Sequence, residues 1–99
     1  MNEFDFRILR DETVNGVRHI TAVPSGLVCS VMIDFYLDEE NRIHNLKYER
    51  GCHGNLIAIC RLVEGMPAAQ VAETLDGVNC HGRGTSCTDQ LARILKSLL

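Results

Sequence analysis

Cys80 and Cys87 are separated by His81-Gly82-Arg83-Gly84-Thr85-Ser86, the densest run of reactive and conformationally permissive residues in the chain. Its two glycines allow the loop to fold back so that the two thiols approach each other, and the second thiol falls where a helix is expected to begin. A helix N-terminus favours negative charge, so Cys87 is placed to act as a thiolate, the form of cysteine that binds metals and exchanges with disulfides. Metal ligation or dithiol redox chemistry is the first expectation. The same turn admits a rival, because Arg83, Gly84, Thr85 and Ser86 offer a guanidinium, backbone N–H groups and hydroxyls to an anion such as phosphate. The Lys-Ser/Thr ending of a Walker A loop is absent.

A tetrahedral thiolate site needs four donors from separate elements, and zinc or an iron-sulfur cluster suits sulfur because both accept soft ligands. Cys29 opens an expected strand and Cys52 precedes an expected helix, so with Cys80 and Cys87 they make a set of four. Cys60 falls inside a helix among apolar neighbours and reads as a small core residue. His53 and His81 directly follow cysteines, and consecutive residues seldom reach one metal, so both read as solvated loop positions. His19 and His44 lie in strands among polar neighbours and carry little signal.

The elements that must position these residues form an α+β pattern, strands first and helices afterwards. Asn15-Gly16 is the favoured dipeptide of a two-residue type I′ turn, which predicts a hairpin over about residues 4–23. Pro24-Ser25-Gly26 breaks the pattern. Cys29, Val31, Ile33, Phe35 and Leu37 alternate at a period of two, predicting a strand that directs all five side chains to the core face. A less regular strand follows around Ile43, Leu46 and Tyr48. Asn55 is the expected N-cap of a first helix that Gly65 ends, Pro67 opens a second helix that Gly77 ends, and Ser86-Cys87-Thr88-Asp89 reads as a capping box opening the third. The result is a two-layer domain of about four antiparallel strands with about three helices packed on one face.

At 99 residues, the chain has room for a single domain, 1–99, with one small core. A net charge of −3 and a pI near 5.7 exclude the basic footprint of a nucleic-acid binder. The acidic N-terminus lacks the features of a secretory signal and no apolar run is long enough to span a bilayer, so a cytoplasmic location is expected. In a reducing compartment, five cysteines read as ligands, reactive thiols or core residues rather than as a disulfide framework.

Gly84-Thr85-Ser86-Cys87-Thr88-Asp89-Gln90-Leu91-Ala92 resembles the signature of the TSCPD domain family. Val28-Cys29-Ser30, Gly51-Cys52-His53-Gly54-Asn55-Leu56 and Leu62-Val63-Glu64-Gly65-Met66 resemble its other marked segments, over about residues 25–97. Thr88 stands where the family has Pro. The resemblance implies Cys29, Cys52, Cys80 and Cys87 as the functional cysteines, and an accessory role beside ribonucleotide reductase, since the family occurs as small proteins and as an extension of adenosylcobalamin-dependent reductases. More distantly, the order of Cys29, Cys52 and Cys87 is similar to that of U-type iron-sulfur scaffolds, although Val31 and Ser86 replace that family's Asp and His. A dithiol relay through Cys80 and Cys87 and a metal-free nucleotide- or protein-binding module are the remaining readings. Stand-alone ribonucleotide reduction is not expected, because a radical cofactor, a substrate pocket and an enclosed thiol set exceed one small two-layer domain.

Overall fold

The computed structural model describes residues 5–51, 53–80, 82 and 84–99, with the His53 side chain left aside. Cys52, His81 and Arg83, all singled out above, lie outside the described residues, as does the start of the expected hairpin at Phe4. Four strands, β1 (Arg7–Val14), β2 (Val17–Val23), β3 (Met32–Leu37) and β4 (Ile43–Glu49), precede three helices, α1 (His53–Leu62), α2 (Ala68–Leu75) and α3 (Cys87–Leu98). The strands form one antiparallel sheet in the order β1-β2-β3-β4. Asn15 and Gly16 both take positive φ, 52° and 79°, as a type I′ turn requires, and Val14 pairs with Val17 across it.

Alternation along the strands sorts the two faces of the sheet. Ile20 and Ala22 of β2, Ile33, Phe35 and Leu37 of β3 and Ile43 and Leu46 of β4 are buried against Val71 and Ala72 of α2 and Leu91, Ile94 and Leu95 of α3. The intervening positions are polar and satisfy one another: His19 stacks on Tyr36 with ring centroids 4.2 Å apart and meets Asp34 at 2.7 Å, and the Thr21 hydroxyl donates to the same carboxylate. Among the described residues no helix is long and apolar enough to cross a membrane.

Two expectations need correction. The first concerns β3, which begins at Met32 rather than Cys29, so Cys29 is exposed and Val31 is 45% exposed, while Ser30 between them is buried. Pairing of β3 with β2 ends at Ile33↔Ala22, and upstream of Met32 the chain follows a turn in which Val28 N–H donates to the Ser25 carbonyl. The last tie to the sheet is the Val31 N–H donating to the Glu49 carbonyl of β4 at 2.8 Å, and the alternation persists upstream in the sequence without β2 beside it to give it a core side. The second concerns α1, which starts at His53, placing the exposed Asn55 within the helix instead of at its cap.

The irregular pattern of β4 has a specific origin. Between Asp34↔Lys47 and Tyr36↔His44 the strand β4 advances by three residues while β3 advances by two, so one residue is extra. Asn45, at φ 54°, lies in this bulge, and its short polar side chain tolerates the left-handed region. The inward positions are therefore Ile43 and Leu46.

His44, near the start of β4 and beside the bulge, clasps the segments that follow β3 and α1. Its Nε2 lies 2.7 Å from Asp38 Oδ2 and its Nδ1 lies 2.6 Å from Glu64 Oε2, a geometry satisfied when both nitrogens carry protons. The Asp38 hydrogen bond, then that of Glu64, raises the His44 pKa. Its contribution to stability is thus complete below the ordinary value of 6.5 and is lost as pH rises through the higher folded value. Asp38, held down chiefly by His44, and Glu64, held down by the Asn45 N–H and then His44, contribute above 3.8 and 4.5 and lose that contribution as pH falls through their lowered values. The stability gap between the wild type and His44→Gln in urea titrations should therefore be wide at about pH 5.5 and narrow at about pH 8.5. An equal gap at both values would show that charge on His44 plays no part.

Candidate metal centre

Helix α3 begins by a device visible in its sequence. Ser86 is the N-cap, extended at φ −152° and ψ 170°, and its hydroxyl accepts the Asp89 N–H at 3.0 Å. The reciprocal half of a capping box does not form. The Asp89 carboxylate is buried and instead accepts the Gly77 N–H at 2.7 Å, the Thr85 hydroxyl at 2.6 Å and Arg93 Nε at 2.9 Å. Burial alone would raise its pKa, but these donors outweigh it and hold the carboxyl below the usual range.

Gln90 extends the network. Also buried, it donates from Nε2 to Thr85 Oγ1 at 3.0 Å and accepts the Ser25 N–H at 2.9 Å. Three chain segments are joined in this way: the turn after β2 that leads to Cys29, the turn after α2 that leads to Cys80, and the start of α3 that carries Cys87. No buried side-chain polar atom among the described residues lacks a hydrogen-bond partner.

The cysteine-bearing segments meet at the same end of the domain. Cys87 is the first residue of α3 and half-buried, and the buried Ser30 hydroxyl donates to its sulfur at 3.1 Å. Gly51 packs against Ser30 in turn, since a Cβ built on Gly51 would lie 3.5 Å from both Ser30 Cβ and Ser30 N. Cys80, half-buried, donates its N–H to the Thr85 carbonyl at 3.1 Å, and Gly84 N–H donates to Asn79 Oδ1 at 2.8 Å, which closes the glycine-rich loop. The neighbours of Cys29 and Cys52 in sequence thus touch each other, and one of them touches Cys87.

Tyr48 supports Cys87 from the sheet, donating its hydroxyl to the Cys87 carbonyl at 3.1 Å. Burial first, then negative charge on Cys87 and Cys60, drives the Tyr48 pKa far upward, so the phenol remains a donor. Cys60 packs against the core, and burial raises its thiol pKa, as the sequence reading of a core cysteine implies. Among the described residues no group of three or more His, Cys, Asp and Glu side chains is arranged to hold a metal ion, and Cys52 lies outside them.

The anion reading of the turn meets an electrostatic difficulty. Thr85 and Ser86 are buried with their hydroxyls committed to Asp89 and Gln90, the Gly84 N–H serves Asn79, and a carboxylate occupies the first turn of the helix. Arg83 lies outside the described residues.

The TSCPD domain profile matches residues 7–99, nearly the whole chain, including the N-terminal hairpin. The chain belongs to the TSCPD domain family. No match was found among curated proteins or among solved structures. Within this TSCPD domain the signature divides its work: Thr85, Asp89 and Gln90 tie loops together, Ser86 caps the helix, and Cys87 is presented at its start. Thr88 in place of Pro costs the helix nothing, since first-turn N–H groups have no intrahelical partner, and its hydroxyl lies 3.1 Å from that of Ser86.

Sequence reasoning passed over Ser25, Ser30 and Tyr48, whose partners are remote in the chain. Gln90 did carry a signal. It stands four residues before Ile94 and beside Leu91 on the apolar stripe of α3, where a polar side chain needs a buried partner.

Proposed function

We propose that this TSCPD domain is a cysteine-ligated metal-binding module, with Cys29, Cys52, Cys80 and Cys87 as the ligands and zinc as the favoured metal. The reading rests chiefly on the meeting of cysteine-bearing segments, through Ser30 with Cys87, Gly51 with Ser30 and Cys80 with Thr85. The donor set fits: four thiolates from four separate segments suit tetrahedral zinc, and the same set suits an iron-sulfur cluster. Ligation requires Cys29, Cys80 and Cys87 to turn toward one another on loops that the Asp89–Gln90 network keeps together. A bound four-thiolate zinc is closed and structural, and it would cross-link those loops.

The role that accompanies this chemistry is that of an accessory to a larger enzyme, with ribonucleotide reduction the process that the family resemblance suggests. The domain has one small core and no enclosed site for radical chemistry among its described residues, which leaves catalysis to the partner.

Metal analysis of protein purified without an affinity tag, beside Cys87→Ser and Cys60→Ser, tests the module. The expected result is about one equivalent of zinc in the wild type and in Cys60→Ser, with most of it lost in Cys87→Ser. Equal, near-zero metal in all three would overturn the proposal. A Cys80–Cys87 disulfide forming under mild oxidation while metal is retained would replace it with a dithiol relay.

A further inference from the structure

We propose that the groove between β4 and α1 receives an acidic peptide segment of a partner protein, anchored by one large apolar side chain. The groove has a volume of about 400 Å³ and an apolar floor that includes Leu46, Leu56 and Ile57. Ile57 is 40% exposed there, an apolar surface that a ligand would cover. Lys47 from β4, Arg50 from the β4–α1 connection and Arg61 from α1 also line the groove, and among the described residues no Asp or Glu does.

This concentration of positive charge is selective in a chain of net charge −3. Of the described Lys and Arg residues, Arg18, Arg42, Arg93 and Lys96 are in ion pairs with Asp11, Glu40, Asp89 and Asp76. Five have no such pair among the described residues: Arg7 and Arg10 on β1, at the opposite edge of the sheet, and Lys47, Arg50 and Arg61, which all border the same apolar trough. Uncompensated cations around an apolar floor are complementary to a ligand that is acidic at its periphery and apolar at its centre.

A peptide fits better than a small amphiphile because the groove is half-open. Small-molecule sites enclose most of their ligand, whereas this trough runs beside β4, an edge strand of the sheet. The proposal does not rest on metal binding.

Selection of a displayed library of random dodecapeptides on the intact purified chain, counter-selected on the Arg50→Glu/Arg61→Glu variant, tests it. Enriched sequences should place Asp and Glu around a Phe, Trp or Leu. A synthetic peptide of that sequence should bind the charge-reversed variant at least about tenfold more weakly, lose affinity as salt rises, and slow the alkylation of Cys60, which lines the groove. Should the double variant misfold, Lys47→Glu should weaken binding in the same direction. Enrichment of neutral or basic sequences, equal affinity for wild type and a folded charge-reversed variant, or unchanged Cys60 alkylation would each overturn the proposal. So would saturable binding of decanoate to the groove with no acidic peptide enriched, which would identify a small amphiphile as the occupant.

Discussion

Asp89→Ala should destabilise the domain by about 3 kcal/mol, because buried donors lose their acceptor at once. Gly77 N–H and the Thr85 hydroxyl depend on this carboxylate, and Arg93 meets it from the surface. A donor stranded in the interior costs roughly 1–3 kcal/mol, whereas the partly exposed Arg93 can turn to water at little cost. For a domain of this size the melting temperature should fall by roughly 12–24 °C. Asp89→Asn keeps one acceptor oxygen but turns an NH₂ group toward another donor, so its melting temperature should lie between those of Asp89→Ala and the wild type. Since the folded carboxyl has a lowered pKa, the contribution is present above the ordinary value of 3.8 and is lost as pH falls through the folded value. The difference between wild type and Asp89→Ala should therefore shrink in acid. A fall of less than about 3 °C at neutral pH would show that the loops are held by other means.

The consequence for the site distinguishes this network from ordinary core packing. Phe35 and Leu37 hold the sheet to the helices, and their alternation predicts that role directly. Asp89 and Gln90 hold loops to loops. Their partners are the backbone of Ser25, 65 residues away from Gln90, and the backbone of Gly77, 12 residues away from Asp89. Periodicity reports which side of an element faces the core, but it carries no information about which distant N–H a buried carboxylate or amide will accept. The hairpin at Asn15-Gly16 and the apolar stripe of α3 were legible because each is specified within one or two turns of chain. The strand limits were less so: Cys29 continues the pattern of Ile33 and Phe35 although pairing has already ended, and the bulge at Asn45 breaks a pattern where pairing continues. As for the cysteines, their placement at the ends of elements was legible, while the contacts that gather those ends, from Ser30 and Tyr48, come from residues with no chemical signature of their own.

Gly51→Val should damage stability and metal occupancy together. Gly51 has φ +108°, outside the region that side-chain-bearing residues favour, and a β-branched residue is least able to adopt it. A Cβ at this position would also come within 2.6 Å of Leu56 Cδ1, forcing that buried side chain to move. Backbone strain and displaced packing together should cost about 3 kcal/mol, read as a lower urea midpoint with an unchanged slope. The local effect is more informative than the global one. Gly51 passes close to Ser30, whose hydroxyl meets the Cys87 sulfur. A Cβ alone would rest at ordinary contact distance from Ser30, but the further methyl groups of Val, together with the strain at φ +108°, should separate the segment before Cys52 from the segment after Cys29. Gly54→Ala is the control, because a Cβ there meets nothing within 4 Å. If Cys29, Cys52, Cys80 and Cys87 share a metal, Gly51→Val should lose most of it under conditions where the variant remains folded, while Gly54→Ala retains it. Full metal occupancy in a folded Gly51→Val would mean that the close approach at Ser30 serves the fold alone.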